Sequence, residues 1–433
     1  MRKKVSYKIV DITTIKASIL QWAQQYYEVV WLDNNSHKNK YSSFDGLLAT
    51  DALTSLKTDY INAFEDLKTY QKETNDWLFG YLSYDLKNDI EQLSSSNYDG
   101  VAFPDLYFFQ PKKIIKIIAN ELEFDYLNMV DDEIEEDYQA ILAGDHNFST
   151  PTPTAQDDIH IKMRIFKDEY YRQVTKMLAK IKHGAIYEAN FCQEFYAENF
   201  VINPEKTFQK LNKISTAPFT SFLKLNDKYL LSASPERYLR KEASKLISQP
   251  IKGTAKRSSN LIEDEQLKTN LENDDKERAE NIMIVDLVRN DLSKKALKSS
   301  VVVEELCKVY TFDQVHQMIS TITAHVASNE NPIDIIKSTF PMGSMTGAPK
   351  VSAMKIIEEL EAFKRGLYSG AVGYITPDGD FDFNVVIRSI LYNDSKPYIS
   401  FSVGSAITSQ ATPEREYQEC LLKAKAMRQV LEN

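Results

Sequence analysis

Residues 369–392, SGAVGYITPDGDFDFNVVIRSILY, constrain the fold more than any other stretch of the chain. Two runs rich in β-branched and aromatic residues flank a Pro-Asp-Gly turn, a strong hairpin signal because glycine there can take a left-handed backbone. The next run, PYISFSVGSAITSQ, reads as a third strand. Strands joined by connections this short run antiparallel, because a parallel return needs a long crossover. Further strands are expected at YYEVVWL, WLFGYLSYDL, DLYFFQP and AIYEANFCQEFYAE, with a hairpin at KKIIKIIANELEFDYL. Helical spacing marks TSLKTDYINAFEDLKTYQ, KDEYYRQVTKMLAKIKHG, DKERAENIMIVDLVRNDLSK, the segment after Pro349, and TPEREYQECLLKAKAMRQVLEN. The predicted class is α+β: a large two-layer sandwich of mainly antiparallel sheets with helices on the outside. Glycine is scarce, 13 in 433 residues, and seven of these fall between Gly343 and Gly404. Loops are expected to approach a ligand there.

The length allows two or three folding units or one large two-layer domain. Residues 131–160 turn acidic and then Pro/Thr-rich, which predicts a linker between a first segment, 1–130, and a second, 161–433. A net charge of −10 without a basic stripe argues against nucleic acid as a partner. No apolar run reaches the roughly 20 residues of a membrane span. The basic start MRKKVSYKIVDITTI lacks an apolar core and is not read as a signal peptide. Cys192, Cys307 and Cys420 are far apart, with no disulfide or metal spacing, so a reducing cytoplasm is expected.

Several side chains have chemical promise. Lys252, in QPIKGTAKR, sits between an apolar residue and a glycine at a predicted strand end. A lysine that works as a free amine needs such a setting, because its charged form must be destabilised. Glu236, in SASPER, lies at a turn between two strands leading to Lys252, a possible acid/base partner. Glu277 and Glu280 are three apart on one helix, as are Glu416 and Glu419 on another. Each pair shares a face, and carboxylates without thiol or imidazole companions suit a hard ion such as Mg²⁺. Arg388 is the one basic residue in an apolar strand, placed to hold a carboxylate, and Tyr374 on the neighbouring strand is expected at the same site. His316 is either a ligand contact or a satisfied core histidine. The loop GSMTGAPK is not a Walker loop, because its glycines are too close and Pro349 precedes the lysine. It still opens onto a helix N-terminus, which favours an anion.

The stretches ASPER, PIKGT, ERAENIMIVDLVRNDL, FPMGSMTGAPK, AVGY, IRS and PEREYQE occur in this order and together resemble the chorismate-utilising enzyme family. SSFDGLLATDA and FGYLSYDL resemble its smaller N-terminal segment. The resemblance implies a catalytic unit over 161–433 that acts on chorismate with Mg²⁺. It assigns Lys252 as nucleophile and Glu236 as acid, with Glu280 and Glu419 on the metal and Glu277 and Glu416 behind them. Gly253, Thr254, Ser344, Tyr374, Arg388, Gly404 and His316 are implied around the substrate. The lysine of PIKGT is the mark of the branch that aminates chorismate at C4; the anthranilate-forming branch usually carries alanine there. Glu188 stands where isochorismate- and salicylate-forming branches place a water-activating lysine. GSAIT and YEANFCQEF depart from the family's usual strands. Ammonia is implied to come from a separate glutamine amidotransferase subunit, since no cysteine here has a nucleophile's surroundings. The rival readings are the anthranilate-forming branch and a non-catalytic chorismate-binding subunit.

Overall fold

The computed structural model describes residues 1–37, 40–144 and 159–432. The hairpin forms as its sequence predicts: Ala371–Ile375 pairs with Phe381–Val385, and Gly379 closes the turn at φ 75°. Among the described residues all laddered strands pair antiparallel, in one network that doubles back into two layers. The first layer runs from Arg2–Lys8 through Glu121–Leu127, Leu106–Ile118, Gly46–Thr58, Glu28–Asp33, Phe219–Leu225, Lys228–Ser234, Ser389–Asn393 and Tyr398–Ile407 to Glu188–Glu198. The second runs from Leu78–Leu82 through Ala371–Ile375, Phe381–Val385, Arg237–Glu242, Lys245–Gln249 and Val315–His325 to Val302–Thr311. Strand Leu106–Ile118 belongs to both: its start pairs with Leu78–Leu82, its end with Glu121–Leu127.

Strand periodicity explains the layering. Val30, Leu32, Leu223 and Leu230 point into an apolar core shared with Phe79, Leu239, Phe381 and Phe383 of the second layer. Their neighbours Val29, Trp31, Phe222 and Leu231 point the other way. That face is covered by helices Ile12–Ala23, Lys167–Lys182, Pro204–Ser215 and Pro413–Glu432. The α+β two-layer arrangement is therefore the one the sequence predicts.

Strands from residues 1–130 hydrogen-bond to strands from 161–433, so the sheet runs unbroken across the compositional boundary. The acidic half of the expected linker is helical: Ile134–Ala143 forms an α-helix that buries Ile134 and Ile141. The Pro/Thr-rich half, residues 145–158, lies outside the described residues.

Two corners position the site. Lys228–Ser234 in the first layer continues through Pro235 and Glu236 into Arg237–Glu242 in the second. Phe381–Val385 in the second layer continues through residues 386–388 into Ser389–Asn393 in the first. These strands are neighbours in both layers, so the crossings lie side by side. The amide of Val385 donates to the Glu236 carbonyl at 3.0 Å, and the amide of Ala233 to the Arg388 carbonyl at 3.1 Å. Arg388 turns the corner with φ 53°.

Candidate active site

A cavity of about 500 Å³ opens beside these corners. Its walls come from both crossings, strand Ile251–Lys256, the turn Gly343–Met345, strand Tyr398–Ile407, and helices Asp275–Ser293 and Pro413–Glu432. Among the predicted residues it gathers Glu236, Lys252, Gly253, Thr254, Glu277, Glu280, Ser344, Arg388, Gly404, Glu416 and Glu419.

Lys252 is aimed by a bulge. Ile251 pairs with Ile319 and Thr254 with Gln317, so the lysine strand carries one residue more than its partner. Gly253 takes the left-handed backbone of the bulge at φ 92°. It also lets the strand approach the neighbouring helix, because a Cβ there would meet Glu277 at 3.3 Å. Lys252 Nζ lies 3.6 Å from Glu188 Oε1. Burial alone pulls the ammonium down, but the carboxylates of Glu188, Glu280, Glu419 and Glu236 outweigh it and hold the amine above its ordinary range. This corrects the expectation of a lysine neutralised by desolvation. The surrounding carboxylates keep it charged.

Glu236 behaves as an acid. Burial pushes its carboxyl up from the ordinary 4.5 to about 7, against the Ser344 hydroxyl and the Lys252 charge, which both favour the carboxylate. Ser344 reaches it because the turn Gly343–Met345 is clamped from below. Lys350 Nζ donates to the carbonyls of Thr339 and Pro341 at 3.0 and 2.8 Å and pairs with Asp291.

The four glutamates face the cavity from two helices. Burial raises Glu277 and Glu416, and the repulsion of Glu280 and Glu419 adds to it. Lys276 Nζ lies 3.6 Å from Glu280 and Lys423 Nζ 2.6 Å from Glu419. Glu416 accepts a hydrogen bond from Ser405. Among the described residues no three acidic or imidazole donors converge tightly enough to hold a metal ion by themselves. Hard oxygen donors on two facing helices nevertheless fit Mg²⁺, which uses one or two carboxylates and takes its other oxygens from water and substrate.

The Arg388 guanidinium makes no hydrogen bond or ion pair among the described residues, although it lines this cavity. Burial lowers its guanidinium from the usual range, with Tyr368 and Glu419 opposing. A half-buried cation without a protein partner is a place for an anion.

Two predicted residues lie elsewhere. Tyr374 packs on Phe44, Trp77 and Phe79, with ring centroids 5.5–6.0 Å away, and lines a separate small cavity with Arg237 and Asp382. Its strand, Ala371–Ile375, contributes no residue to the site cavity. Tyr368, just before the hairpin, stands at the site instead. His316 is a satisfied core histidine: Nε2 meets Asp264 at 3.1 Å and Nδ1 meets Thr311 at 3.0 Å. It points away from the cavity that its neighbour Gln317 lines, as strand alternation requires.

Asn190, Gln317, Tyr368, Lys276 and Lys423 also line the site and were not anticipated. A signal existed for Asn190, which shares a strand face with Glu188 two residues earlier. Gly404 makes room for it, because a Cβ there would fall 2.5 Å from Asn190 Oδ1. Nothing local marks Tyr368.

Residues 19–429 match the chorismate binding enzyme family. The fold, the cavity and this match agree, and the chain belongs to the chorismate-binding enzyme family. It is 34% identical over 357 residues to an anthranilate synthase component I-like protein of Synechocystis, spanning 82% of this chain and 72% of that one. It is 39% identical over 265 residues to aminodeoxychorismate synthase component 1 of Salmonella typhimurium, spanning 61% of this chain and 58% of that one. The crystal structure of anthranilate synthase component I from Streptococcus pneumoniae superposes with a TM-score of 0.75 at 24% identity, covering 90% of this chain and 94% of that one. The last likeness speaks to the fold alone. Among the described residues no helix is long and apolar enough to cross a membrane.

Proposed function

We propose that the chain is an aminodeoxychorismate synthase component I, which converts chorismate and ammonia to 4-amino-4-deoxychorismate. The observation that carries this reading is the Lys252 amine, held on a bulge in the same cavity as the buried acid Glu236.

Chorismate offers a ring carboxylate, an enolpyruvyl carboxylate and a 4-hydroxyl that leaves only when protonated. Glu236, protonated below about pH 7, donates that proton, and a positioned acid contributes roughly 10²–10⁴-fold. The Lys252 amine forms a bond to ring C2 as the C4–O bond breaks and water departs. Ammonia then bonds to C4 and the lysine leaves C2, so two easier steps replace one. Arg388 is free to pair with the enolpyruvyl carboxylate, and Tyr368 stands beside it. Glu280 and Glu419 would hold Mg²⁺, with Glu277 and Glu416 supporting them. The ion, when bound, neutralises the ring carboxylate and draws electron density from the ring.

Ammonia is supplied from outside. Cys192, Cys307 and Cys420 are all buried, and burial pushes each thiol up rather than down. None is set to attack glutamine. We assign that step to a partner glutamine amidotransferase.

The relatives' names also include anthranilate synthase, and the product separates the two readings. Purified protein is incubated with chorismate, Mg²⁺ and ammonium, and the products are resolved by mass. 4-Amino-4-deoxychorismate, with its enolpyruvyl group intact, is expected. Anthranilate and pyruvate as main products assign the chain to the other branch, and unchanged chorismate makes it a binding subunit.

A further inference from the structure

Lys252 has to lose a proton before it can attack, and its surroundings name few acceptors. Four carboxylates face it: Glu188 from strand Glu188–Glu198, Glu280 and Glu419 from the two helices, and Glu236 from the crossing. Glu236 must hold its proton for the leaving hydroxyl. Glu280 is approached by Lys276 and Glu419 by Lys423, and both are assigned to the cation. Glu188 has no other task. Its side chain is 2% exposed and its Oε1 is 3.6 Å from Lys252 Nζ. Its Oε2 is buried with no hydrogen-bond partner. A buried carboxylate oxygen left without a donor is costly unless the group gains a proton.

We propose that Glu188 is the base that accepts the proton from the Lys252 ammonium when substrate fills the cavity, and returns it when the lysine is released. The inference rests on the lysine nucleophile proposed above.

The protons balance. Transfer turns an ammonium and a carboxylate into a neutral amine and a neutral acid. The Nζ lone pair bonds to C2, the C4–O bond breaks, and the Glu236 proton leaves in water. Ammonia bonds to C4 and Nζ leaves C2 as a neutral amine. The new C4 ammonium returns a proton to Glu236, and Glu188 reprotonates Lys252. Burial supplies the direction: it disfavours both charged forms, pushing Glu188 up while pulling on the ammonium. Expelling water on substrate binding strengthens that bias. The acceptor is also held in register with the acid. The Glu188 backbone pairs with Ala348, directly after the turn bearing Ser344. Gly347 permits the contact, because a Cβ there would lie 2.2 Å from the Glu188 carbonyl.

The test is Glu188→Gln, with Glu188→Asp as a second variant. kcat/KM for chorismate is followed from about pH 6.5 to 9 at constant free ammonia. Removing a carboxylate by itself makes the amine easier to deprotonate, so a purely electrostatic Glu188 gives an equal or faster enzyme at neutral pH. An acceptor gives a slower one, by roughly 10²-fold or more. The variant then recovers about tenfold per pH unit as solvent takes the proton, and Glu188→Asp restores part of the neutral activity. An equal or faster Glu188→Gln enzyme with an unchanged profile overturns the proposal. Labelling of Lys252 by an amine reagent in the chorismate-free protein, read by peptide mass, is independent of turnover. It should be faster in Glu188→Gln at pH 8, and identical labelling also overturns the proposal. If the unmodified enzyme makes no 4-amino product, the functional reading fails, while the labelling still decides whether Glu188 controls the protonation of the Lys252 amine.

Discussion

Glu236→Gln should separate catalysis from stability. Glutamine keeps the volume of the side chain and an acceptor for the Ser344 hydroxyl, but it has no proton to give. Turnover at pH 7 should fall by roughly 10²–10⁴-fold, the usual contribution of a placed acid. The stability change has the opposite sign. The carboxyl rises from 4.5 to about 7 on folding because burial disfavours its charge. At about 1.36 kcal/mol per pH unit, that rise corresponds to about 3 kcal/mol. Below pH 4.5 the folded and unfolded chains both keep the proton, and Glu236 costs nothing. As the pH climbs from 4.5 to 7 the unfolded chain releases its proton first, so stability is lost progressively and then levels off. Glutamine never ionises and escapes this loss. Urea unfolding of both proteins should therefore nearly coincide at pH 4.5. At pH 8 the variant should be more stable by about 3 kcal/mol. A variant that is inactive but also less stable at pH 8 would refute the picture of a buried acid held near neutrality. A variant that stays active would remove Glu236 from the proton transfer.

Lys252→Ala should give slow turnover with some amination moved to C2, and Lys252→Arg should be worse, because arginine blocks that carbon and stays charged; unchanged 4-amino product at near-native rate would reduce Lys252 to a loop lysine. Glu280→Gln and Glu419→Gln should each abolish turnover while leaving the circular dichroism spectrum intact, and activity surviving both changes and excess chelator would rule out the metal assignment. Arg388→Met should raise KM for chorismate by roughly 10–150-fold, the worth of a charge-assisted contact, and an unchanged KM would place the substrate carboxylate elsewhere. His316→Ala should destabilise the fold by about 0.5–3 kcal/mol through the cavity left by the buried ring, while Asp264 keeps Arg257, and should leave KM unchanged, whereas a KM effect would restore it to the site.

The sequence by itself determined the antiparallel hairpin, the helices and most of the groups that the cavity gathers. Those signals are local: turn chemistry fixes the Thr376–Gly379 turn, and spacing puts Glu277 with Glu280 and Glu416 with Glu419. The ordered motifs likewise carried Lys252, Glu236 and Arg388 to one cavity. Other facts were decided only by tertiary structure. Tyr374 is packed against Phe44, Trp77 and Phe79, while Tyr368 reaches the cavity from the turn before the hairpin, a placement set by partners distant in sequence. His316 is claimed by Asp264, 52 residues away in sequence, and no window around it contains that partner. The acidic run at 134–143 is helical because Ile134 and Ile141 find a core to enter, which outweighs a composition typical of linkers. Most of all, the charge state of Lys252 is a sum over glutamates from four separate elements. Electrostatic energy depends on distance through space, and only the folded chain brings those carboxylates to the amine.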